Sequence, residues 1–477
     1  MATITVGTTT YQTIKGWEAT SQGGQLEYPV TWPNYEADVL AAALDLGLNR
    51  IRVEILSGIV ENSSDYYQLF LDSNADVVDN TNPTSWANFR TNRRIPVNDN
   101  GDPNSINASG FKWAYLDRQI TTVVEPLIAS LAAQGETLEW HICYVHFSAS
   151  DQLHIDTAAE YGELMLAVWQ HCNTTFGMTP TGLEIFLEPD NTAAATSAEI
   201  AAMINAAYDR ITGGGFAAPY IVAPTTTTSP ACLGYYQGVK TASAVAGGRI
   251  SEVSRHRYGT QPDDTTLIAL RTEVEADGKF SSMLESGAGV ASNGNAIDGL
   301  LKDLEVGRVS AWQQFTIAYR SLGGTITDDA NQYFLIGDSP GFDVTMCTRT
   351  KYIRHVTKYV RAGAVMKSVT NSDSNYKGYV FENANGTIVV VGKCTTSGAI
   401  DVVSLPAGTY QIRYTLGNGV ANPSAYDQAL SNQTISGGQN VSFTMPGEGV
   451  FTVFDTNYIT PVPVITGGRG ARRLLFG

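Results

Sequence analysis

Cysteine and positive charge are both scarce in this chain of 477 residues, and each shortage excludes a class of protein. The five cysteines show no paired spacing, so the sequence predicts neither a zinc motif nor a disulfide framework. Cys143 and Cys172 are expected to be buried free thiols. Thirty Lys and Arg residues stand against 46 Asp and Glu residues, for a net charge of −16. This balance argues against a nucleic-acid partner, whose phosphates require a basic face.

Long apolar runs are also lacking. No stretch is long enough to cross a membrane, so no membrane insertion is expected. Residues 1–16 lack the cationic start and the apolar core of a secretory signal, so none is predicted.

The length favours one large domain and one smaller domain. Across residues 15–363, short apolar runs alternate with helical stretches in eight units, which predicts an α/β fold of the (β/α)₈ TIM-barrel type. The predicted strands are 16–21, 50–55, 138–145, 183–187, 220–223, 252–256, 280–284 and 310–315. The clearest helical patterns are 34–47, 113–134, 157–176, 197–213, 296–307 and 347–361.

Residues 56–110 interrupt this barrel pattern with a long polar insertion that is rich in Asn, Asp, Ser and Pro. A connection of this length inside a compact domain is usually functional or disordered. It contains the aromatic residues Tyr66, Tyr67 and Trp86 and the pair Arg93–Arg94. The aromatics favour an ordered loop that covers a site.

The pattern changes again near residue 364. Short alternating runs among Gly, Asn and Ser predict a β-sandwich over residues 364–457. Residues 1–14 alternate in the same way and are predicted to complete the sandwich, because the barrel does not need them. Residues 458–477 form a Pro-, Gly- and Arg-rich tail, interpreted as flexible, with assembly docking through residues 459–477 as the alternative.

Two glutamates follow predicted barrel strands, where a barrel carries its catalytic groups. Glu188 follows the fourth strand and Glu285 follows the seventh. Two such carboxyls can divide the cleavage of a glycosidic bond, because a protonated one donates to the leaving oxygen while an ionised one attacks the anomeric carbon. Desolvation is expected to raise the pKa of Glu188, the candidate acid/base, and Glu285 is the candidate nucleophile. For each, a helix cap or an arginine partner is the structural alternative.

Arg52 lies inside the second predicted strand, where an unpaired charge would be costly to bury. Glu285 and Glu54 are the two candidate partners.

Four further residues are candidates for contacts with the substrate or the nucleophile. Tyr258 could hydrogen-bond the nucleophile, His256 could bind a sugar hydroxyl, and Trp312 could stack on a sugar ring at the barrel mouth or be a core residue. His146 is either a hydroxyl donor or a loop histidine.

Taken together, these residues resemble clan A glycoside hydrolases, and most closely glycoside hydrolase family 30. The resemblance extends to about residue 457. It is carried by the short motifs Ile14–Trp17, Arg50–Arg52, Leu187–Pro189, His256–Tyr258, Glu285, Ala311–Gln313 and Tyr359–Val365. It implies a barrel with a side sandwich and a retaining mechanism with Glu188 as acid/base and Glu285 as nucleophile. It also implies a substrate contact at Trp17, with no metal and no organic cofactor.

One position departs from the resemblance. The family usually has Asn immediately before its acid/base glutamate, where it binds the sugar 2-OH, and this chain has Leu187. Either His146 or Asn191 could take over that contact. The alternative function is a catalytically weak or inactive glycan-binding module, which could belong to a virion or surface assembly. Carbohydrate is the expected partner in both cases, which suggests extracellular or virion-associated action.

Overall fold

Two β-sheets organise the chain. The computed structural model describes residues 1–77, 83–148, 151–191, 195–259, 262–286, 296–321, 328 and 331–458. The predicted tail at 459–477 lies outside these residues. The first strand, β1 (Ala2–Thr13), belongs to the second sheet, and the chain then enters the first.

The first sheet is a closed parallel barrel. Its strands are β2 (Gly16–Thr20), β3 (Arg50–Leu56), β4 (Glu139–Val145), β5 (Gly182–Glu184), β6 (Tyr220–Val222), β7 (Ile250–His256), β8 (Phe280–Ser286) and β9 (Ala311–Arg320). Each strand pairs in parallel with the next, and β9 pairs with both β2 and β8, which closes the ring. The predicted TIM-barrel fold is confirmed.

Helices follow the barrel strands and bury their apolar faces against them. They are Glu36–Leu46, Ala114–Gln119, Glu125–Ala132, Leu153–Asp156, Ala158–Phe176, Ser197–Gly213, Ser229–Ala242, Ala244–Arg249, Asp264–Ala276, Ala296–Glu305 and Thr348–Thr357. Local sequence sets their ends. Thr196 and Glu199 form a reciprocal capping box at the start of Ser197–Gly213. Gly47, at φ +92°, ends the first helix where a side chain would collide with the Thr357 carbonyl.

The predicted helix 113–134 is interrupted. Residues Ile120–Val124 form a π-helical turn, in which the Glu125 N–H bonds to the Ile120 carbonyl. Pro126 explains the interruption, because it has no N–H and its ring clashes with the carbonyl four residues earlier. The insertion is also helical in part, with Ser57–Val60, Tyr66–Asp72 and Thr84–Asn92 and a short 3₁₀ turn at Ala108–Gly110. Its described part is ordered, as its aromatic residues suggested.

Two short strands extend the barrel sheet. Beyond β9 lie β10 (Gln332–Ile336), parallel to its outer half, and β11 (Val344–Met346), antiparallel to β10. Neither strand was predicted. They pair only with each other and with β9, so they leave the closed ring unchanged.

The second sheet is mostly antiparallel. Besides β1 it holds β12 (Val365–Asn371), β13 (Tyr376–Glu382), β14 (Ile388–Cys394), β15 (Gly398–Val403), β16 (Gly408–Leu416), β17 (Ala425–Ile435), β18 (Val441–Met445) and β19 (Gly449–Asp455). Phe443 on β18 contacts Phe451 on β19, although these strands lie in opposite halves of the sheet. The sheet therefore folds over one core, as a sandwich does.

β1 completes this sandwich as predicted. It runs antiparallel to β12, with Ile4 opposite Asn371, and parallel to β15, with Ala2 opposite Ile400. Ile4 is fully buried in the sandwich core. The domain boundaries at residues 14, 363 and 457 stay predictions.

The barrel interior holds paired charges. Arg50 binds Glu18 at 2.8 Å and Glu252 at 3.1 Å, with all three side chains buried. Charges at such a depth persist only when they are paired and hydrogen-bonded.

Among the helices of the described ranges, none combines the length and the apolar character that a membrane span needs.

Candidate active site

A cavity of about 420 Å³ opens where the barrel strands end. The barrel strands and the segments that follow them contribute four carboxylates to its wall, Glu27, Glu54, Glu188 and Glu285. The insertion contributes Trp86, Phe89, Arg93 and Arg94 on the facing wall. The predicted insertion therefore does cover the mouth of the barrel.

Glu285 lies on β8, opposite His256 of β7. Arg52 donates to its Oε2 at 2.6 Å, and the Tyr258 hydroxyl donates to its Oε1. Both carboxylate oxygens therefore accept a hydrogen bond, one of them a charge-assisted bond from a fixed cation. The Tyr258 contact is the one that the sequence suggested, and its role in catalysis stays a prediction.

Glu188 lies outside regular strand. The predicted strand 183–187 is shorter in the structure, because β5 ends at Glu184. The following residues bond alternately to both neighbouring strands, with the Leu187 N–H on the Tyr144 carbonyl and the Glu188 N–H on the Thr225 carbonyl. Glu188 itself has φ +53°, a left-handed conformation that non-glycine residues rarely adopt. Such conformations concentrate at functional sites, where the rest of the fold holds them.

The pKa of Glu188 moves opposite to the predicted direction. Burial raises it, but the hydrogen bond and charge of His256 and the hydrogen bond from Asn191 outweigh burial, and the pKa lies below its usual value. His256 Nδ1 is 2.8 Å from Glu188 Oε1, and Asn191 Nδ2 is 2.7 Å from Oε2. Burial lowers the pKa of His256, but the charges of Glu285 and Glu188 raise it overall. The prediction failed because it counted desolvation and not the histidine partner.

The two glutamates lie close together. An oxygen of Glu188, an oxygen of Glu285 and a ring nitrogen of His256 are all within 4.8 Å of one another. Retaining glycosidases hold their carboxyls about 5–5.5 Å apart, whereas inverting enzymes need about 6.5–9.5 Å for a water molecule. The limit of 4.8 Å between one oxygen of each carboxyl is consistent with the shorter spacing.

Arg52 is the central cation of the site. Its guanidinium is fully buried and also binds Glu54 at 3.1 Å, so both partners considered from the sequence are present. Glu54 additionally accepts from Gln22 at 2.9 Å. Burial raises the pKa of Glu54 to about 7, with Arg52 opposing the rise and the charge of Glu285 adding to it. A third carboxyl at this cavity therefore titrates near neutral pH, which a sequence pattern cannot show.

The structure places both tryptophans in the core, which corrects the contact predicted for Trp17 and agrees with the second interpretation of Trp312. They are buried side by side on β2 and β9, with Trp312 level with Met283, two residues before Glu285 on β8. The Trp17 indole donates to the Val360 carbonyl and the Trp312 indole donates to Asp303. Both are core residues with satisfied indole N–H groups, so neither contacts a ligand in the cavity.

The histidines are both buried, and His146 agrees with the second of its two interpretations, a loop histidine. His146 is buried, its Nδ1 lies 2.7 Å from the Ser57 hydroxyl, and it does not line the cavity. Burial lowers its pKa to about 4. His256 is buried against Glu188, so it positions a carboxylate where a sugar hydroxyl contact was expected. Asn191 does line the cavity beside Glu188, whereas Leu187 lines it with an apolar side chain.

The Glu188–His256–Glu285 group has ligand atoms close enough to hold a metal ion. However, each of its four carboxylate oxygens already has a donor, from His256, Asn191, Tyr258 or Arg52. A cation bound here would also lie close to the positive charge of Arg52 and be repelled by it. The chemistry of this group therefore favours acid–base and nucleophilic roles over metal binding.

Sequence comparisons find no relative for this chain: no protein-family description matches it, and no curated protein matches it. Structural comparisons do find similar proteins. The catalytic domain of a family GH30 xylanase C from Talaromyces cellulolyticus has a TM-score of 0.64 at 16% identity, covering 95% of this chain and 100% of that one. A GH30 endoxylanase from Clostridium papyrosolvens has a TM-score of 0.61 at 15% identity, covering 95% and 99%. An endo-β1,6-glucanase has a TM-score of 0.59 at 13% identity, covering 94% of each chain.

These structural similarities cover both the barrel and the sandwich. The chain therefore shares the barrel-plus-sandwich fold of these GH30 structures.

Proposed function

We propose that this protein is a retaining glycoside hydrolase that acts on a polysaccharide or oligosaccharide. The observation that carries the proposal is the pair of carboxylates within 4.8 Å, each with a different set of partners. Glu285 has the environment of a nucleophile, because Arg52 and Tyr258 hold its charge and orientation. Two xylanases and a glucanase of the same fold support a polysaccharide as substrate.

In the first step, a Glu285 oxygen attacks the anomeric carbon and the bond to the leaving oxygen breaks. Glu188 delivers the proton that the leaving oxygen needs. The Glu188–His256 pair stores this proton on the imidazolium in the resting protein, because the pKa of His256 is raised and that of Glu188 is lowered. Transfer along their 2.8 Å hydrogen bond makes it available to Glu188.

In the second step, water attacks the anomeric carbon of the glycosyl ester and releases Glu285. Glu188 accepts the proton of that water, for which it must be ionised, the state that its lowered pKa favours. Release of Glu285 restores its negative charge beside His256, which raises the pKa of the imidazole again. The proton then passes from Glu188 to His256, and the pair returns to its resting state.

The test is reducing-sugar release across a broad polysaccharide panel, with the parent protein beside Glu285→Gln. We expect release by the parent and a loss of at least about 10³-fold in the variant, because the nucleophile is gone. Glu139→Gln is the matched control, since it makes the same change at the opposite end of the barrel. Mass spectrometry with an activated 2-fluoro glycoside should add one sugar to the parent only. Turnover by Glu285→Gln at the parent rate contradicts the assignment.

Leu187 favours one alternative, a glycan-binding protein with little or no turnover. Its side chain lines the cavity at the position where an amide would hold the sugar 2-OH, a contact that strengthens in the transition state. This alternative predicts binding to a panel glycan that survives Glu285→Gln, together with no release by the parent. Asn191, which lines the same cavity, is the residue that could supply the missing contact.

A further inference from the structure

A second group of carboxylates lies away from the Glu188–Glu285 pair. Asp99 belongs to the insertion, whereas Glu160 and Glu163 lie on the barrel helix Ala158–Phe176. Three residues apart on a helix, the two glutamates project from the same face. One oxygen from each of the three residues lies within 4.8 Å of the others. The three carboxylates therefore lie where the insertion meets the barrel.

The carboxylates of this group lack partners, unlike those of the site above. Glu163 is 1% exposed, and neither of its oxygens has a hydrogen-bond donor among the described residues. Glu160 Oε2 and Asp99 Oδ1 are buried and also lack a donor within the described ranges. Their other oxygens are held, since Asn98 donates to Glu160 Oε1 and the Asn107 N–H donates to Asp99 Oδ2. These bonds leave the free oxygens turned toward one another.

Such an arrangement is unfavourable without a counter-charge. Arg210, on the helix Ser197–Gly213, interacts with the group through its charge, but no ion pair joins it to these carboxylates in the described residues. Either a proton or a cation must therefore occupy the centre.

We propose that Asp99, Glu160 and Glu163 form a Ca²⁺ site. An all-oxygen set of carboxylates suits a hard cation and not zinc or copper. Ca²⁺–oxygen distances of about 2.4 Å keep all ligands within about 4.8 Å of one another, a limit that the three oxygens satisfy. Mg²⁺ requires shorter, near-octahedral bonds and keeps its waters, so it fits less well. Water molecules would complete the coordination of Ca²⁺.

The position of this site gives the ion a structural role. Asp99 follows the segment that carries Arg93 and Arg94 to the cavity wall. The Asp99 N–H also donates to Glu61, whose other oxygen lies 2.7 Å from His154 Nε2. A cation bound here would fasten the far end of the insertion to the barrel and so hold one wall of the cavity in place.

The experiment titrates CaCl₂ into full-length protein treated with EDTA and dialysed. We expect one equivalent to bind by calorimetry and saturating Ca²⁺ to raise Tm by about 2–5 °C, because a ligand that binds only the folded state stabilises it. The same concentration of MgCl₂ should give less than half that shift. Glu163→Gln and Asp99→Asn should each lose the response. Glu273→Gln, a carboxylate on another barrel helix, should retain it.

Proton release distinguishes the cation from the proton that it replaces. Ca²⁺ displaces any proton that the carboxyls of this group hold, so its binding should release protons. Calorimetry in two buffers with different ionisation enthalpies measures their number. The Tm shift should grow as pH rises from 5 to 9, because protons compete with Ca²⁺ for the carboxylates.

Two outcomes overturn the proposal. The first is no heat and no Tm shift with Ca²⁺ at any pH from 6 to 9, which would leave a protonated carboxyl as the occupant. The second is a Ca²⁺ response that persists in both Glu163→Gln and Asp99→Asn, which would place the ion elsewhere. Neither result depends on hydrolysis, so this test stands apart from that of the proposed function.

Discussion

At the residue scale, the arginine at the centre of the site shows how one buried cation organises several carboxylates. Arg52 contacts Glu285 and Glu54 directly and lies 3.9 Å from Glu184. Burial raises the pKa of Glu184, but Arg52 and His141 bring it down to about 2. Glu54, with the same cation, has a pKa of about 7. The two glutamates differ because His141 adds to the effect of Arg52 at Glu184, whereas the charges of Glu285 and Glu184 oppose it at Glu54.

Replacing Arg52 by Ala should cost both stability and rate. Removing one partner of a buried ion pair leaves the other uncompensated, at about 3–5 kcal/mol. Unfolding in urea measures the free-energy change, and the polysaccharide assay measures the rate. Arg249→Ala, which breaks a more exposed pair with Asp209, should cost only about 0–1 kcal/mol. Equal losses in the two variants would contradict the central position of Arg52.

At the element scale, the insertion is a small folded unit placed over the barrel mouth. Trp86 packs on Phe70 and on Phe89, each with ring centroids 4.8 Å away, and Tyr67 adds contacts to both phenylalanines. These aromatics form a cluster of their own, which includes the cavity residue Leu187. The sequence indicated an ordered covering loop from the aromatic content alone. It could not indicate which aromatics face the cavity.

Trp86→Ala should loosen the insertion while the barrel stays folded. Truncating a buried tryptophan typically lowers the free energy of unfolding by about 3–5 kcal/mol. Here the lost contacts belong to the aromatic cluster of the insertion. We expect faster proteolysis within residues 56–110 and a raised KM, with the main thermal transition little changed. Trp113→Ala is the control, because Trp113 stacks on His171 at 4.1 Å outside the cavity. Unchanged proteolysis in Trp86→Ala would mean that the cluster does not hold the insertion.

At the scale of the whole molecule, a barrel helix joins the two sheets. His355, on the helix Thr348–Thr357, lies between Thr452 of β19 at 2.9 Å and Thr415 of β16 at 2.8 Å. Burial lowers the pKa of His355 to about 4, and Arg354 adds to the effect while Asp427 opposes it. This contact therefore depends on a neutral imidazole.

The contact should make the protein sensitive to acid. Between pH 6.5 and 4 the unfolded chain binds a proton at residue 355 that the folded chain does not, so stability falls as pH falls through this window. His355→Gln should flatten the slope of Tm against pH between 6.5 and 4.5. Part of the slope should remain in this variant, because burial also lowers the pKa of His146 to about 4. A slope in His355→Gln that equals that of the parent would contradict this account.

The sequence by itself determined the eight barrel strands, the sandwich that follows and the pairing of residues 1–14 with it. Periodicity is a local property that burial imposes on each element, so it can be read without knowing the fold. It also placed Glu188 and Glu285, because strand ends are visible along the chain. The short β5 and the added β10 and β11 were missed, since irregular backbone and edge pairing leave weak patterns.

Tertiary structure alone decided which residues meet. Trp17 and Trp312 carry indole rings that could stack on a sugar, but their positions near the start of their strands bury them in the core. The pKa of Glu188 depends on His256, 68 residues away, and the carboxylate group at Asp99 depends on a helix beginning at Ala158. Charge interactions act through space, over a few ångströms, and are therefore set by the fold and not by spacing along the chain.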